Sequence, residues 1–269
     1  MKYGFIGLGN MAGAILTGMR ESEQFAKVEI FGSDSIPEKV SECEKKFGII
    51  PAASPVELAG RTDVVILAVK PQVLTEILPE ISSALDRDKT LISIAAGKEI
   101  SFYESALGKP VPFIRVMPNI NAEVKEAASA LCPGSFADES RLMIARGIFE
   151  TVGVVFDLPE KYFGAFTALS GSSVAFVFLY VDALSRAAVR AGLPRDLAQN
   201  IAVQAVLGSA KLMASSDEHP MSLTDKVCSP NGTTIEGILE LQKLGFESSV
   251  HQAFDAVLKK DELIARGKA

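Results

Sequence analysis

The sequence lacks the residues on which several protein classes depend. Its 269 residues include no tryptophan, two histidines and three cysteines. Cys43, Cys132 and Cys228 are an odd number at wide spacing, which fits neither a disulfide framework nor a C-x-x-C metal or redox site. We therefore expect free thiols in the core or in loops and no metal centre.

Long runs of one charge or of apolar residues are also missing. The 27 basic and 33 acidic residues are interspersed, so no basic patch for nucleic acid or anionic lipid is present. The longest apolar run near the middle, Val174 to Val181, is far shorter than the roughly 20 residues that cross a bilayer. We expect neither a nucleic-acid nor a membrane partner. Because Met1 to Ile6 enters a glycine turn without a signal-peptide pattern, we expect a cytoplasmic protein.

The hydrophobic pattern divides the chain near residue 160. Before it, strand patterns alternate with helical ones, which indicates an α/β domain over residues 1–160 with a parallel sheet wrapped on both faces. After it, long helical patterns predict an all-α domain over residues 161–269. The predicted strands are Tyr3–Gly7, Val28–Phe31, Val64–Ala68, Thr90–Ile94, Pro112–Val116, Ala128–Leu131 and Val154–Asp157. The predicted later helices are Ser170–Ala191, Pro194–Ala214, Thr234–Leu244 and Ser249–Ala265.

Two features of the second half carry structural expectations. The helix from Ser170 is apolar almost all round, which predicts burial on every side, in a bundle centre or between subunits. Gly192-Leu193-Pro194 predicts a helix end with a left-handed glycine, followed by a proline in the first turn of the next helix.

The first strand leads into a dinucleotide-binding fingerprint. Gly7-Leu8-Gly9-Asn10-Met11-Ala12 fits G-x-G-x-x-G/A between a strand and a helix. Gly7 makes the turn, Gly9 lets backbone N–H groups approach a pyrophosphate, and Ala12 permits close packing of the helix on the sheet. Asp34, at the end of the second strand, is placed to accept from a ribose 2′-OH and so favours NADH. Ser33 and Ser35 are able to donate to the 2′-phosphate of NADPH, so the choice of cofactor stays open.

Two further strand ends are expected in the same cleft, because ligands of open α/β sheets lie at the carboxyl ends of the strands. The segments are Ala68-Val69-Lys70-Pro71 and Ala95-Ala96-Gly97. Lys70 lies either near the dinucleotide or in solvent.

The stretch from Cys228 to Glu236 is the most informative one outside the fingerprint. Thr233 and Glu236 have capping-box spacing, which predicts that a helix starts there. Pro230-Asn231-Gly232-Thr233-Thr234 also offers N–H donors and two hydroxyls at a helix N-terminus, which suits a carboxylate. Helix cap and carboxylate site are equally supported at this point.

These stretches together resemble the pyrroline-5-carboxylate reductases. The resemblance spans the chain and includes Phe5 to Met11, Ala68 to Gln72, Val116 to Asn119, Leu169 to Ser173 and Cys228 to Glu236. It implies a Rossmann-type domain, a helical domain that forms a homodimer or a higher homo-oligomer, and reduction of an imine to proline with NADPH or NADH. It also implies that Gly232, Thr233 and Thr234 hold the substrate carboxylate, that Thr234 donates to the ring nitrogen, and that Pro118 and Asn119 lie by the nicotinamide.

The chain departs from the family pattern at several positions, and two other functions compete. Ile120, Asn121, Val174 and Asn231 differ from the usual residues, although Asn tolerates a left-handed backbone at residue 231. A β-hydroxyacid dehydrogenase would use a lysine on the first helix of its helical domain, and no lysine lies between Tyr162 and Arg186. A non-catalytic dinucleotide-sensing protein of the same fold is the other alternative.

Overall fold

An eight-stranded sheet forms the first part of the chain in a computed structural model, which describes residues 1–265. All seven predicted strands are present. The additional strand, β3, has only two residues, too few to leave an alternating hydrophobic pattern. The strands are β1 (Tyr3–Ile6), β2 (Ile30–Ser33), β3 (Ile50–Pro51), β4 (Val64–Leu67), β5 (Thr90–Ser93), β6 (Phe113–Met117), β7 (Ala127–Pro133) and β8 (Gly153–Asp157).

The strand order is β3-β2-β1-β4-β5-β6-β7-β8. The sequence predicts a parallel sheet, and this is correct for β1 to β6 but wrong for β7, which pairs antiparallel with β6. The connection from Met117 to Ala127 holds only a 3₁₀ turn, and a chain this short turns back instead of crossing over the sheet. The helix that follows β7 restores a crossover, so that β7 and β8 are parallel to each other.

Helices cover both faces of this sheet, as predicted. Neighbouring residues of one strand belong to different hydrophobic layers: Phe5 lies in one cluster and Ile6 in the other. Pro37 and Pro55 each start a helix in its first turn, where proline lacks only a hydrogen bond that the helix does not make. The helices are α1 (Asn10–Glu21), α2 (Pro37–Phe47), α3 (Pro55–Arg61), α4 (Leu74–Ser82), α5 (Ile100–Leu107), α6 (Glu139–Glu150) and α7 (Phe163–Phe166).

The later part is helical, as predicted. Gly192 has φ +102°, which confirms the left-handed position, whereas Pro194 precedes the helical residues and occupies the N-cap position. A short helix, α10, was not predicted because it falls inside a polar stretch. The helices are α8 (Ser173–Arg190), α9 (Arg195–Ala214), α10 (Pro220–Val227), α11 (Thr233–Lys243) and α12 (Phe246–Ala265).

The apolar helix α8 is exposed in the single chain. Its only buried residue is Ser185, whereas Phe178 and Leu179 are 63% and 69% exposed. Burial in the centre of a bundle is therefore wrong, and the alternative, burial between subunits, stays open. The helical stretch from Glu160 to Arg190 is long and apolar enough to span a membrane by length and composition alone, a test that core helices of soluble proteins also pass.

The contacts divide the chain into two units. One comprises Met1–Gly171 together with residues 258–265, and the other comprises Ser172–Val257. The fingerprint belongs to the first unit and the Gly-Thr-Thr segment to the second.

Candidate functional site

The fingerprint turn brings three strand ends together. Gly7 has φ +92°, and a Cβ atom there would lie 2.6 Å from the carbonyl oxygen of Ala68 at the end of β4. Its N–H donates to the carbonyl of Ser33 at the end of β2, at 2.8 Å. Only glycine accommodates both the left-handed backbone and this close approach. The predicted cleft residues at β1, β2 and β4 therefore meet at one edge of the sheet.

The start of α1 is open above Gly9. A Cβ atom at Gly9 would meet no atom within 4 Å, and within the described residues no side chain caps the helix. Ala12 is 1% exposed and lies against the sheet, and Met11 packs on the same core. Backbone N–H groups of the first turn are thus available to an anion, as the fingerprint requires.

Asp34 lies directly after β2, but its carboxylate does more than the sequence predicts. Oδ2 accepts from the N–H of Leu8, inside the fingerprint, at 2.7 Å. Oδ1 accepts from the N–H of Ile36 at 2.9 Å. The side chain therefore joins the glycine turn to the loop that follows β2. Each oxygen keeps a second lone pair, so a ribose hydroxyl is still able to donate to it.

A cavity of about 610 Å³ lies beside this turn. Eight of the residues predicted to bind the cofactor line this cavity, together with Lys39, which helical periodicity gave no reason to select. Lys70 is exposed and has no ion pair within residues 1–265. The eight residues are Gly7, Gly9, Ser33, Asp34, Ser35, Ala68, Val69 and Lys70. Asn10 lines a neighbouring cavity of about 370 Å³, together with Gly9, and Pro71 begins a 3₁₀ turn after Lys70.

Other proposed cofactor residues lie outside the larger cavity. Ala95 is buried after β5 and Ala96 is exposed. Gly97, with φ +72°, packs against α12, since a Cβ there would lie 2.9 Å from Ile264. The end of β6 carries Pro118 and Asn119, both buried.

Asn119 and a π-helical turn form a polar pair that sequence analysis did not foresee. The turn spans Thr167–Ser172 and includes the first three residues of the Ser-Gly-Ser-Ser segment, which covers residues 170–173. Asn119 Nδ2 donates to the carbonyl of Ser170 at 3.0 Å, while Asn119 Oδ1 and Ser170 Oγ are buried without a partner in the described chain. Buried polar atoms in proteins are normally hydrogen-bonded, so this pair is suited to a water or a ligand group. Single π turns often occur at functional sites.

A partly buried ion pair lies near the same end of the sheet. Arg115 of β6 bonds Glu160 at 2.8 Å, and the same Glu160 oxygen accepts from the N–H of Ile100 at 2.7 Å. The guanidinium also lies over the Phe163 ring, 4.5 Å from its centroid. Burial raises the pKa of the nearby Asp261 carboxyl, and the charge of Arg115 opposes that rise. These contacts connect β6, α5 and the segment before α7.

Tyr103 and Ser93 form a second buried polar contact in this layer. Their hydroxyl oxygens are 2.7 Å apart, and Tyr103 is fully buried. Burial raises the pKa of Tyr103 to about 12. The phenol therefore stays neutral at physiological pH and stabilises the fold beneath the strand ends.

In the second unit, the Gly-Thr-Thr segment differs from the predicted capping box. Helix α11 begins at Thr233, and Gly232 is its N-cap, with no side-chain cap bond among the described residues. A Cβ at Gly232 would lie 2.4 Å from Ser229 Oγ, so the chain turns tightly here. Thr233 therefore lies one position too late in the chain to cap the helix with its side chain.

The same segment leaves two threonine hydroxyls for a ligand. Thr233 and Thr234 are exposed, and neither hydroxyl has a hydrogen-bond partner within residues 1–265. Asn231 adopts φ +57°, which confirms that asparagine is tolerated in the left-handed position. Free N–H groups and hydroxyls at the start of an eleven-residue helix are suited to a carboxylate.

The histidines and cysteines have structural or solvated positions. His219 caps α10 by accepting from the N–H of Met221 at 3.2 Å. His251 is exposed on α12. All three cysteines are free thiols, as expected, and no group of metal-ligating side chains is found in the described part of the chain.

The residues at the fingerprint fit a nicotinamide dinucleotide. The open space above Gly9 gives a ligand access to the turn, and the uncapped start of α1 provides N–H donors for its pyrophosphate. The cavity beside Asp34 places a hydrogen-bond acceptor where the ribose would lie. The Rossmann-type sheet and this site define a dinucleotide-dependent oxidoreductase.

Comparison with known proteins identifies the family. Residues 160–263 match the family described as pyrroline-5-carboxylate reductase dimerisation, and residues 2–97 match NADP oxidoreductase coenzyme F420-dependent. The pyrroline-5-carboxylate reductase of Escherichia coli is 38% identical over 265 residues, 98% of each chain. The solved Streptococcus pyogenes enzyme is 34% identical with a TM-score of 0.87, covering 97% of this chain and 98% of its own. The Plasmodium falciparum structure with NADP bound is 29% identical, with a TM-score of 0.86 and 98% coverage of both.

The chain belongs to the pyrroline-5-carboxylate reductase family. It is an NAD(P)H-dependent oxidoreductase that reduces L-1-pyrroline-5-carboxylate to L-proline, a step of proline biosynthesis. Its helical domain supports homo-oligomerisation.

Proposed function

We propose that two separate groups of residues bind the cofactor and the substrate of this reduction. The fingerprint, Asp34 and the adjoining cavity hold the dinucleotide, and Gly232, Thr233 and Thr234 hold the substrate carboxylate. The observation that carries the proposal is the uncapped start of α11, where both threonine hydroxyls are free within residues 1–265. The free N–H groups of this helix start and the two free hydroxyls beside them are the donors that an anion site needs.

Positioning supplies much of the acceleration. When bound, the reduced dinucleotide supplies the hydride. The chain needs to hold the imine carbon close to it, which turns an encounter of two molecules into a reaction within one complex. In the neutral imine, Thr234 donates a hydrogen bond from its hydroxyl to the lone pair of the ring nitrogen and orients it, and water provides the proton to that nitrogen as the hydride adds to the carbon. In a protonated imine the proton is already in place and the ring N–H donates to Thr234 Oγ, so no strong acid is required of the protein.

The nicotinamide end of the site involves the residues that follow β5 and β6. We assign Pro118 and Asn119 to the neighbourhood of the nicotinamide, with Ala95, Ala96 and Gly97 alongside. The buried Oδ1 of Asn119 and Oγ of Ser170 support this, because both lack a partner in the described chain and one donor group would satisfy each.

The assembly proposed is a homodimer through the helical domain, or a higher homo-oligomer built from it. The functional division is residues 1–160 for the dinucleotide and 161–269 for dimerisation and substrate binding. The exposed apolar surface of α8 supports a subunit interface, because monomeric proteins rarely expose large apolar patches. We propose that each active site combines the Rossmann-type domain of one chain with the Gly-Thr-Thr segment of its partner, and that the enzyme works in the cytoplasm.

The direct test is reduction of pyrroline-5-carboxylate by the purified protein, followed through the loss of nicotinamide absorbance with NADH and NADPH in turn. We expect proline as the product with at least one cofactor. If neither cofactor is oxidised above background, the proposal fails. The absence of a lysine between Tyr162 and Arg186 argues against oxidation of a β-hydroxyacid, so no turnover is expected with 3-hydroxyisobutyrate.

A further inference from the structure

Lys39 is a cation in the dinucleotide cavity that has no assigned role. It lies in the first turn of α2, where its N–H donates to the carbonyl of Ile36 at 3.1 Å. The residue is half-buried and lines the same cavity as Ser33, Asp34 and Ser35. Within residues 1–265 its ammonium group makes no ion pair. A half-buried lysine without an acidic partner is an arrangement that an anionic ligand would complete.

Asp34 determines where such an anion would lie. Because its two oxygens are held by the N–H groups of Leu8 and Ile36, its negative charge stays at the position that accepts from the ribose 2′-OH. A phosphate on that 2′ position is repelled by Asp34, and it needs a nearby cation to bind at all. Of the cavity residues that immediately follow Asp34, Lys39 is the cation, and the hydroxyls of Ser33 and Ser35 are available as donors.

We propose that Lys39 is the residue that binds the 2′-phosphate of NADPH, and that it determines cofactor preference in opposition to Asp34. Asp34 favours the free 2′-OH, while Lys39 and the serines accommodate a 2′-phosphate. The chain therefore accepts both cofactors, and their ratio depends on Asp34 and Lys39, the two opposite charges that follow β2, and not on Lys70 and Glu80, which line the cavity after β4. The proposal rests on binding of the dinucleotide at the fingerprint.

Direct binding of two nucleotides tests it without turnover. Adenosine 2′,5′-bisphosphate carries the 2′-phosphate and AMP does not, so calorimetric titration of both ligands isolates the contribution of that group. For Lys39→Ala we expect the bisphosphate to bind about tenfold more weakly, the low end for a hydrogen bond to a charged group because Lys39 is partly exposed. AMP affinity should change less than about twofold, and Lys39→Arg should keep most of the bisphosphate affinity.

Lys45→Ala is the matched control, since Lys45 is an exposed lysine of the same helix and does not line the cavity. It should leave both affinities unchanged. Equal weakening of both nucleotides by Lys39→Ala, or no weakening of either, would overturn the proposal, as would an equal effect of Lys45→Ala on the bisphosphate.

A separate variant tests the placement on which this rests. Gly9→Trp fills the open space at the fingerprint and should abolish binding of AMP and of the bisphosphate together. Retained AMP binding in this variant would contradict the placement of the dinucleotide, whatever Lys39→Ala does.

Discussion

The two units of the chain differ in how far they bury their large apolar side chains. In the first, the helices between β3 and β5 bury Leu58, Leu74 and Leu78 completely. In the second, α8 and α9 leave Phe178, Leu179 and Ile201 more than half exposed. Covering such a hydrophobic face with another chain is favourable, because burying one large apolar side chain contributes about 1.5–3 kcal/mol relative to leaving it exposed. The first unit is thus stabilised from within, whereas we expect the second to bury its exposed apolar side chains by association.

The largest effect is expected from a charge placed in the exposed apolar surface of α8. Phe178→Glu should abolish the homo-oligomer and with it the activity, because a carboxylate buried in an apolar interface is not compensated. The measurement is molar mass by light scattering, together with turnover.

Phe136→Glu is the control, because Phe136 is 50% exposed in the first unit, against 63% for Phe178. It should keep both assembly and activity. If Phe178→Glu keeps its assembly state, the exposed face of α8 is not the interface.

A mixed assembly tests whether the two units act across chains. Gly9→Trp disables the fingerprint and Thr234→Ala the substrate segment, and each variant alone should be nearly inactive. After the two are unfolded and refolded together, half of the dimers are mixed and each holds one intact site, so about a quarter of wild-type activity should return. No recovery in verified mixed dimers would show that each site is built within one chain.

Thr234→Ala tests the substrate segment by itself. Loss of a hydrogen bond to a charged or polarised group costs about 1.5–3 kcal/mol, or roughly 10- to 150-fold in turnover if the bond acts mainly in the transition state. Dinucleotide affinity should not change, and Thr234→Ser should restore most of the rate. Unchanged turnover in a folded Thr234→Ala protein would leave this threonine without a catalytic role.

Asp34→Ala tests the role of the carboxylate beside the fingerprint in the first unit. We expect the affinity ratio to shift toward NADPH by roughly tenfold, the scale of one hydrogen bond to a charged group. Both affinities should also fall, because Leu8 and Ile36 lose their acceptor. Dissociation constants for the two cofactors measure the shift. A wild-type protein that already prefers NADPH by tenfold would contradict the role of Asp34.

The smallest expected effect concerns the buried hydroxyl pair in the first unit. Tyr103→Phe should lower the free energy of unfolding by about 1 kcal/mol at neutral pH. The folded pKa of Tyr103 is about 12, above the ordinary value of 10.0, so this stability is fully present below pH 10 and is lost as the pH rises toward 12. Urea unfolding at several pH values checks this.

The stability difference between wild type and Tyr103→Phe should therefore shrink in alkaline solution. Tyr162→Phe, at an exposed position outside α8, should change stability by less than about 0.5 kcal/mol. A difference that is independent of pH would contradict the buried, neutral phenol.

Patterns local to a few residues were predictable from the sequence. Seven strands, the prolines that start α2 and α3, and the left-handed Gly192 follow from side-chain alternation and from backbone stereochemistry. The fingerprint was recognisable because glycines, strand and helix must occur in one order for the turn to form. The two-residue strand β3 is too short to leave such a pattern, and the helix α10 falls inside a polar stretch. The strand β7 was predicted, but its antiparallel direction depends on the short connection before it and not on its own side-chain pattern.

The sequence by itself determined the class of fold and the fingerprint, and it singled out Thr233 and Thr234 as candidates for substrate binding, because each of these depends on neighbouring residues in the chain. Only the tertiary structure decided that Asp34 holds the fingerprint through Leu8, that Lys39 faces the same cavity, and that Gly232 instead of Thr233 caps α11. It also decided that α8 is left uncovered. Hydrogen bonds between distant segments and the burial of a helix depend on where other parts of the chain lie in the fold. The periodicity of one segment does not depend on those positions and so does not predict them.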